Sequence, residues 1–342
     1  MPDSTHRDDA EGTGSWRAAT MRGACAAAVA IGALLVFGGA ALAHGSAQLT
    51  PGQLPTHWTL EAQIVIPLGF VAWAYAVGVR SVWQRAGVGH GVRVWQAASF
   101  AAGIFTLFVA VCSPLDAAAD ASFAAHMMQH TLLMLVAPPL LVLGAPAVAY
   151  AWALPRGAQR RLHRAQHLRA LRAVSSIVLH PIVVWSLQAV AFWCWHVPKL
   201  YDAAVRHDTL HGLEHLSLLG VALLFWWLVL RRAGHRDFSY GVAVAFVFTT
   251  MLQMMIVPAL LVLSQSPWYP YYAGISPAWH LTPLHDQILG GLIMWMVSNV
   301  VYLLLGGYLV VRWLQAEEAG ADIAARRELA ARRGGPAITP PV

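Results

Sequence analysis

The sequence predicts an all-α membrane protein, a polytopic helix bundle, on three observations. Its 342 residues are 58% hydrophobic and only 11% charged, with a mean hydropathy of +0.56, whereas a soluble domain carries about 25% charged residues. Apolar runs of the roughly 20 residues that a bilayer-spanning helix needs follow one another with short loops. A lipid-exposed backbone must satisfy its own hydrogen bonds, so each run is expected to be helical.

The first apolar run has the pattern of a secretory signal peptide. Residues 1–16 are polar, Arg17 and Arg22 precede the apolar residues 23–43, and that run ends in Ala-Leu-Ala before His44. A basic segment, an apolar core and an A-x-A-like site are typical of a cleaved leader. We therefore expect 1–43 to be a polar leader with a signal peptide, or else with an additional first transmembrane helix.

Seven further apolar runs predict a seven-helix membrane domain over residues 44–313, followed by a cytoplasmic tail over 314–342. Pro67, Pro138, Pro139 and Pro258 fall inside these runs and predict kinks. The expected spans are approximately 60–80, 94–113, 126–152, 174–196, 211–230, 239–263 and 287–312.

The basic residues predict how the helices are oriented. Of the 22 Lys and Arg residues, all but Lys199 and Arg206 lie in segments that the spans place on one side of the membrane. The positive-inside rule assigns that side to the cytoplasm, with the C-terminus. The net charge of +6 is thus explained by membrane orientation, and we expect no nucleic-acid partner.

Histidines gather on the opposite, outer side. His126 and His130 open the third span, His196 closes the fourth, and His211 and His215 begin the fifth. Residues four apart lie on one face of a helix, so each pair can point at one atom. Ionisable groups inside spans are costly and tend to be functional. The five histidines are therefore the candidate metal ligands.

Three acids and several further donors accompany the histidines on the outer side. Carboxylates that orient ligating imidazoles are the expected role of Glu214, Asp286 and Asp116, although Asp286 is equally placed to cap a helix. Auxiliary ligands are expected from Met127, Cys194 and His44. Imidazole suits copper, zinc and iron, while sulfur ligands select Cu(I). The three cysteines form no CxxC pair, which argues against a zinc ribbon or a disulfide framework.

Four separated motifs resemble the CtaG family of cytochrome c oxidase assembly proteins, which is tied to caa-type oxidases. No single motif is specific, but their order is, and together they cover residues 58–312. They read SPLD at 113–116 with HMMQH at 126–130 and APPLLVLGAP at 137–146; WHVP at 195–198 with LYD at 200–202; HxxEH at 211–215 with FWW at 225–227; and YPxY at 269–272 with DQxxGGLIMW at 286–295.

The resemblance implies a membrane protein that matures a haem–copper oxidase by handling copper. Its implied partners are cytochrome c oxidase subunits, the lipid bilayer and periplasmic copper carriers. Its implied location is the bacterial cytoplasmic membrane, with the histidine cluster on the periplasmic side. We expect copper as the bound metal and no catalytic activity.

Three other interpretations stay open from the sequence. The pattern at 211–215 formally matches the HxxEH inverzincin motif, which predicts a zinc-dependent hydrolase using His211, Glu214 and His215. Axial histidines of a b-type haem are a second alternative, disfavoured because the inner half of the bundle is nearly free of histidine. A scaffold for oxidase subunits without a metal is the third, with the histidines as polar contacts between helices.

Overall fold

The computed structural model describes residues 54–166, 168–235, 238–274 and 281–332. The leader 1–43 and His44 lie outside the described residues. Within them the regular structure is helical, apart from one isolated bridge between His235 and Phe238. The helices are α1 (Ala62–Ala86), α2 (Val94–Cys112), α3 (Pro114–Ala119), α4 (Phe123–Thr131), α5 (Ala137–Leu143), α6 (Pro146–Ala153), α7 (Arg156–Gln166), α8 (Arg169–Val178), α9 (Pro181–Trp195), α10 (Pro198–Arg206), α11 (Asp208–Arg232), α12 (Tyr240–Leu263) and α13 (Pro283–Arg332).

The predicted fold class is confirmed. Six helical segments in the described part of the chain are long and apolar enough to cross a membrane, and one of them, Phe123–Leu143, consists of α4, α5 and the π-helical residues between them. A bent pair, α8 with α9, makes a seventh if it counts as one span. Large apolar side chains on the outside of the bundle, such as Ile66, Leu263 and Leu304, are 68%, 75% and 71% exposed. Such a surface is unfavourable in water and favourable against lipid chains.

Helices α1, α2, α11 and α12 follow the predicted spans with ends shifted by at most six residues. Pro67 and Pro258 lie inside α1 and α12, which run on as single helices. In the third span, where Pro138 and Pro139 predict kinks, the α-helix is interrupted. The fourth span is broken although no kink was expected there, and the last helix extends further than expected.

The expected third span, 126–152, is divided. Helix α4 leads into a π-helical segment, Leu132–Val136, and then α5 ends before Ala145, which has φ 50°. Pro138 lacks the N–H that would bond to the carbonyl of Met134 one turn earlier. The indole N–H of Trp226 donates to that carbonyl instead, at 2.9 Å. A neighbouring helix thus satisfies the backbone group that the proline leaves over.

The expected fourth span, 174–196, is broken near its start. Helix α8 ends at Val178 and α9 begins at Pro181, with a bend of 58° between their axes. Proline at the first position of a helix removes no hydrogen bond, because the backbone N–H at that position has no partner within the helix. It does disfavour helical backbone angles in the residue before it. His180 accordingly has extended backbone angles.

Helix α13 continues through the expected boundary at 313 to Arg332, so the last span and the first part of the tail are one helix. Its sequence beyond the span contains good helix formers such as Ala, Glu and Arg. At 1.5 Å per residue, its 50 residues extend about 75 Å, more than twice the roughly 30 Å of a hydrocarbon core.

Helix α13 packs closely on α4, the helix that carries the first two histidines. A Cβ atom on Gly290 would lie 2.5 Å from the ring of Phe123 and 3.2 Å from Cγ of Met127. Only glycine therefore permits this approach between the two helices. The same contact brings Asp286, four residues earlier on α13, to the beginning of α4.

Candidate metal centre

The five candidate histidines converge at one end of the bundle. His126 and His130 lie on α4, His211 and His215 lie near the beginning of α11, and His196 follows the last residue of α9. Helices α4 and α11 begin at this end and α9 finishes there, so the three elements bring the rings to a similar level. The predicted convergence of imidazoles from three spans is therefore present in the structure.

The rings lie in direct contact with one another. The Nε2 atoms of His126 and His130 are 3.0 Å apart. Nitrogen ligands of a tetrahedral ion with bonds of about 2.05 Å are about 3.3 Å apart, so a shift of a few tenths of an ångström fits this pair to an ion. Ring centroids are 4.2 Å apart for His211 and His215, 5.0 Å for His126 and His211, 5.3 Å for His130 and His215, and 6.2 Å for His130 and His196.

Glu214 lies inside the histidine cluster and not at its edge. Its side chain is fully buried, and its carboxylate oxygens lie 3.6 Å from Nε2 of His130 and 3.9 Å from Nε2 of His126. Neither oxygen has a hydrogen-bond partner among the described residues. A buried carboxylate without hydrogen bonds is costly unless a cation neutralises its charge.

Two groups of three side chains have donor atoms close enough to share an ion. One consists of His126, His130 and His215, and the other of His126, His211 and Glu214; within each group all donor atoms lie within 4.8 Å of one another. Both groups contain His126. The Nε2 atoms of His196 and His215 and the Nδ1 atom of His130 are buried and lack hydrogen-bond partners in the part of the chain that is described.

Hydrogen bonds fix which nitrogen of His126 faces the cluster. The hydroxyl of Tyr272 lies 3.0 Å from the carbonyl of Ala119, 3.0 Å from the hydroxyl of Tyr201 and 3.2 Å from Nδ1 of His126. The carbonyl only accepts, so it takes the single proton of Tyr272. Tyr272 then accepts from Tyr201 and from an Nδ1–H of His126. This tautomer leaves the Nε2 lone pair of His126 directed into the cluster.

His196 is oriented by the same principle. Its Nδ1 lies 2.6 Å from the carbonyl oxygen of Phe192, which can only accept, so Nδ1 carries the proton. Its Nε2 is then unprotonated and buried, with a lone pair available to a metal ion. A ligating histidine typically donates its second ring N–H to a carbonyl, carboxylate or similar acceptor, and His126 and His196 both have this arrangement.

Aromatic side chains close the cluster on the side of the connecting loops. The ring of Phe123 stacks on Tyr269 with centroids 4.7 Å apart, and the ring of Tyr201 lies 4.4 Å from Tyr269 and 5.2 Å from His126. Burial raises the pKa of Tyr201 and of Tyr272 well above the ordinary phenol value. Both hydroxyls therefore stay protonated and keep their hydrogen-bonding roles at neutral pH.

Asp286 supports the cluster by binding the beginning of α4, the helix that carries His126 and His130. Its carboxylate accepts from the hydroxyl of Ser122 at 2.7 Å and from the backbone N–H groups of Phe123 and Ala124 at 2.8 and 3.0 Å. These groups begin α4, so Asp286 caps the helix that carries His126 and His130, and its charge is favourable at that helix end. Its capping role thus applies to a different helix from its own.

Asp116 binds Gln129, the residue that precedes His130 on α4. Its carboxylate accepts from Nε2 of Gln129 at 2.8 Å, and the same nitrogen donates to the carbonyl of Ala110 at 2.7 Å. Gln129 is the neighbour of His130 on α4 and is fully buried. Asp116 therefore helps to fix the rotation of α4 against α2 and α3.

The expected auxiliary ligands are not brought to the cluster. Met127 is buried, but it faces Gly290 on α13, and Cys194 is exposed on the outside of α9. His44 lies outside the described residues. Tyr201, Tyr272 and Ser122 were not predicted as site residues, although both tyrosines belong to the recognised motifs. A tyrosine hydroxyl expected close to the histidines at the membrane boundary was the signal that could have identified both tyrosines.

Fold and site together define the class: an all-α polytopic membrane protein with a buried, histidine-rich candidate metal centre between its helices. Residues 73–316 match the family described as cytochrome c oxidase caa3 assembly factor (Caa3_CtaG). The chain belongs to this family, and the resemblance seen in its motifs is confirmed. The matched region contains all five candidate histidines, Glu214 and Asp286.

Relatives among curated proteins are similar over most of this chain. Uncharacterized proteins of Mycobacterium bovis and Mycobacterium tuberculosis are each 25% identical over 282 residues, 80% of this chain and 42% of theirs. One from Mycobacterium leprae is 23% identical over 263 residues, 74% of this chain and 38% of its own. The chain thus spans less than half the length of these relatives. No solved structure matches significantly.

Proposed function

We propose that this cytochrome c oxidase assembly factor binds copper at the histidine cluster and delivers it to the oxidase. The observation that carries the proposal is the gathering of five imidazoles with Glu214, with both carboxylate oxygens and several ring nitrogens lacking hydrogen-bond partners among the described residues. His126, His130, His196 and Glu214 are buried, and His211 and His215 are partly buried. The copper is cargo rather than a resident cofactor. The role is that of a carrier and not of a catalyst.

Donor chemistry supports copper. Imidazole nitrogen binds copper more strongly than the other common divalent metals of the first row, and an oxidase of the haem–copper type needs copper ions during assembly. Glu214 supplies one negative charge, which offsets part of the cost of bringing a cation into a buried site. The cluster offers more donors than one ion requires, so an ion can exchange ligands without losing all of them.

Charge distribution supports an outward-facing site. The basic loops that the positive-inside rule assigns to the cytoplasm lie at the opposite ends of the helices from the histidines. The cluster then faces the periplasm in the cytoplasmic membrane of a bacterium. Periplasmic copper carriers would load the site, and an oxidase subunit docked on the same side would receive the ion.

The zinc hydrolase and haem alternatives are less well supported. A hydrolase of the HxxEH type uses the glutamate as a base on metal-bound water, whereas a carboxylate oxygen of Glu214 lies within 4.8 Å of ring nitrogens of both His126 and His211, close enough to share an ion with them. The cavity next to His130 and His196 measures about 30 Å³, room for only a few water molecules. A peptide substrate or a porphyrin needs far more space.

The test is the metal content of detergent-purified protein, measured together with oxidase activity in cells that carry each variant. We expect His130→Ala combined with His215→Ala to lose copper and to lower oxidase activity. His180→Ala, which changes an exposed histidine at the other end of α9, is the matched control and should preserve both. Full oxidase assembly with the double variant would defeat the proposal.

A further inference from the structure

An apolar groove of about 590 Å³ lies on the surface of the bundle between α1 and α2, at the end opposite the histidine cluster. Tyr75 and Phe100 form part of its floor, with stacked rings whose centroids are 3.7 Å apart. Both side chains are buried, and the hydroxyl of Tyr75 donates to the carbonyl of Gly144 at 2.7 Å. The floor of the groove is therefore apolar, and the hydroxyl of its tyrosine is already hydrogen-bonded.

The groove runs along the helices for about the depth of one leaflet. On α1 its lining extends from Ala72 to Gln84, which is about 18 Å at 1.5 Å per residue. Half of a hydrocarbon core of about 30 Å is about 15 Å. Gln84 is two residues from the end of α1. One end of the groove thus lies at the membrane boundary, and the other lies near the middle of the bilayer.

Close packing of α1 on α6 keeps the groove open. A Cβ atom on Gly78 would overlap the carbonyl group of Ala149, so the two helices touch through their backbones. A movement of α1 towards α2 would break this contact. The facing walls of the groove include Ala76 and Ala101, both exposed. An apolar space that opens into the hydrocarbon layer is favourably filled by an acyl chain, which restores van der Waals contact along its walls.

The end of the groove at the membrane boundary is basic. Arg80 lines it, and the exposed guanidinium has no hydrogen-bond or ion-pair partner among the described residues. Between Glu61 and Asp116 the chain contains three arginines, Arg80, Arg85 and Arg93, and no acidic residue. Positive charge at this end therefore attracts an anionic group from the membrane surface.

We propose that the groove binds one anionic phospholipid of the adjoining leaflet, with an acyl chain along the groove and the headgroup phosphate on Arg80. A guanidinium donates to a phosphate through two parallel hydrogen bonds. Gln84, one turn nearer the boundary, adds an amide donor. This lipid site goes beyond the proposed function and does not depend on copper.

The remaining groups at the boundary are consistent with a lipid. The indole N–H of Trp83 donates to the carbonyl of Val92 at 2.7 Å, so the ring of Trp83 presents carbon atoms to the groove. A zwitterionic lipid carries a cationic group beside its phosphate, which the three arginines repel. An anionic headgroup lacks that repulsion and is the preferred ligand.

The experiment titrates purified, full-length protein in detergent with phosphatidylglycerol and, separately, with phosphatidylcholine, and counts bound lipids per chain by native mass spectrometry. We expect one tightly bound phosphatidylglycerol and weaker binding of phosphatidylcholine. Arg80→Ala removes charge-assisted hydrogen bonds and should weaken phosphatidylglycerol binding by about 10- to 100-fold. Arg156→Ala, an exposed arginine in another basic segment and outside the groove, is the matched control and should leave binding unchanged.

A second pair of variants tests the groove itself. Ala101→Trp fills the groove with an indole from α2. Ala102→Trp places the same side chain at the neighbouring exposed position, which does not line the groove. We expect only Ala101→Trp to lose the tightly bound lipid, and melting curves in detergent show whether both variants remain folded.

Several results would overturn the lipid site. A wild type without a tightly bound lipid would do so, whether residues 1–43 or a second copy of the chain covers the groove instead. A dimer that Ala101→Trp dissociates would assign the groove to that second copy. Equal lipid binding by Ala101→Trp and Ala102→Trp would exclude the groove, and equal binding by Arg80→Ala and Arg156→Ala would exclude the contact of Arg80 with the phosphate.

Discussion

The hydroxyl of Tyr272 lies 3.2 Å from Nδ1 of His126, and this contact connects a loop between two spans to the centre of the histidine cluster. The tyrosine sits in the short 3₁₀ turn Pro270–Gly274, while His126 is in the second turn of α4. The contact determines which nitrogen of His126 faces the other donors. A residue of the loop between α12 and α13 thus orients the histidine that both donor groups contain.

Removal of that hydroxyl should weaken copper binding. In Tyr272→Phe the Nδ1–H of His126 loses its acceptor, and loss of such a supporting contact lowers metal affinity by about 10- to 100-fold. A competition titration against a copper chelator measures the effect. Tyr308→Phe, at an exposed position on α13, serves as the control. Equal affinities for the two variants would contradict the assigned tautomer.

Neutralisation of Asp286 should loosen the beginning of α4. Asp286→Asn retains one acceptor oxygen but removes the charge, and it cannot accept all three hydrogen bonds that the carboxylate accepts. Loss of a helix cap costs about 1 kcal/mol. We expect faster amide hydrogen exchange at Phe123 and Ala124 and a lower melting temperature in detergent. Unchanged exchange at these two amides would exclude the capping role.

A methyl group at Gly290 should destabilise the packing of α13 on α4. In Gly290→Ala the new Cβ would meet the ring of Phe123 at 2.5 Å, and overpacking of this kind costs about 1–3 kcal/mol. Gly306→Ala on the same helix has open space around it and should be neutral or slightly stabilising. Unfolding in mixed micelles compares the two. Equal stability would mean that the two helices separate at little cost.

The indole of Trp226 should be needed because of Pro138. Trp226→Phe removes the donor to the carbonyl of Met134, and a buried carbonyl left without a partner costs about 1–3 kcal/mol. Pro138→Ala restores a backbone N–H one turn after Met134, so the tryptophan change should cost less in that background. A double-mutant cycle on unfolding free energy measures the coupling. A coupling of zero would show that the two groups act independently.

The helices and the candidate ligands were largely accessible from sequence, for a physical reason. Lipid requires long apolar helices, and an imidazole in such a run stands out; His126, His130, His211 and His215 also have the spacing of one helix face. Their common level follows because α4 and α11 begin at the same membrane boundary. That the two helices are neighbours, which brings the rings together, does not follow from the sequence.

Contacts between distant segments were not accessible. Asp286 caps a helix that begins more than 160 residues earlier, and Tyr272 reaches His126 across two helices, so neither contact follows from local pattern. Closeness in sequence was also misleading. Cys194 is two residues from His196, which corresponds to about 200° around a helix, and its side chain therefore points away from the cluster. Met127 is turned about 100° from His126 and packs on α13 instead.

The length of α13 has a consequence for how the two faces of the membrane communicate. The same continuous helix begins with the carboxylate that holds the start of α4 and ends at Arg332, well beyond the hydrocarbon layer. A change in the tilt of the distal part is therefore carried by one continuous helix to Asp286, and through its hydrogen bonds to the beginning of α4, three residues before His126.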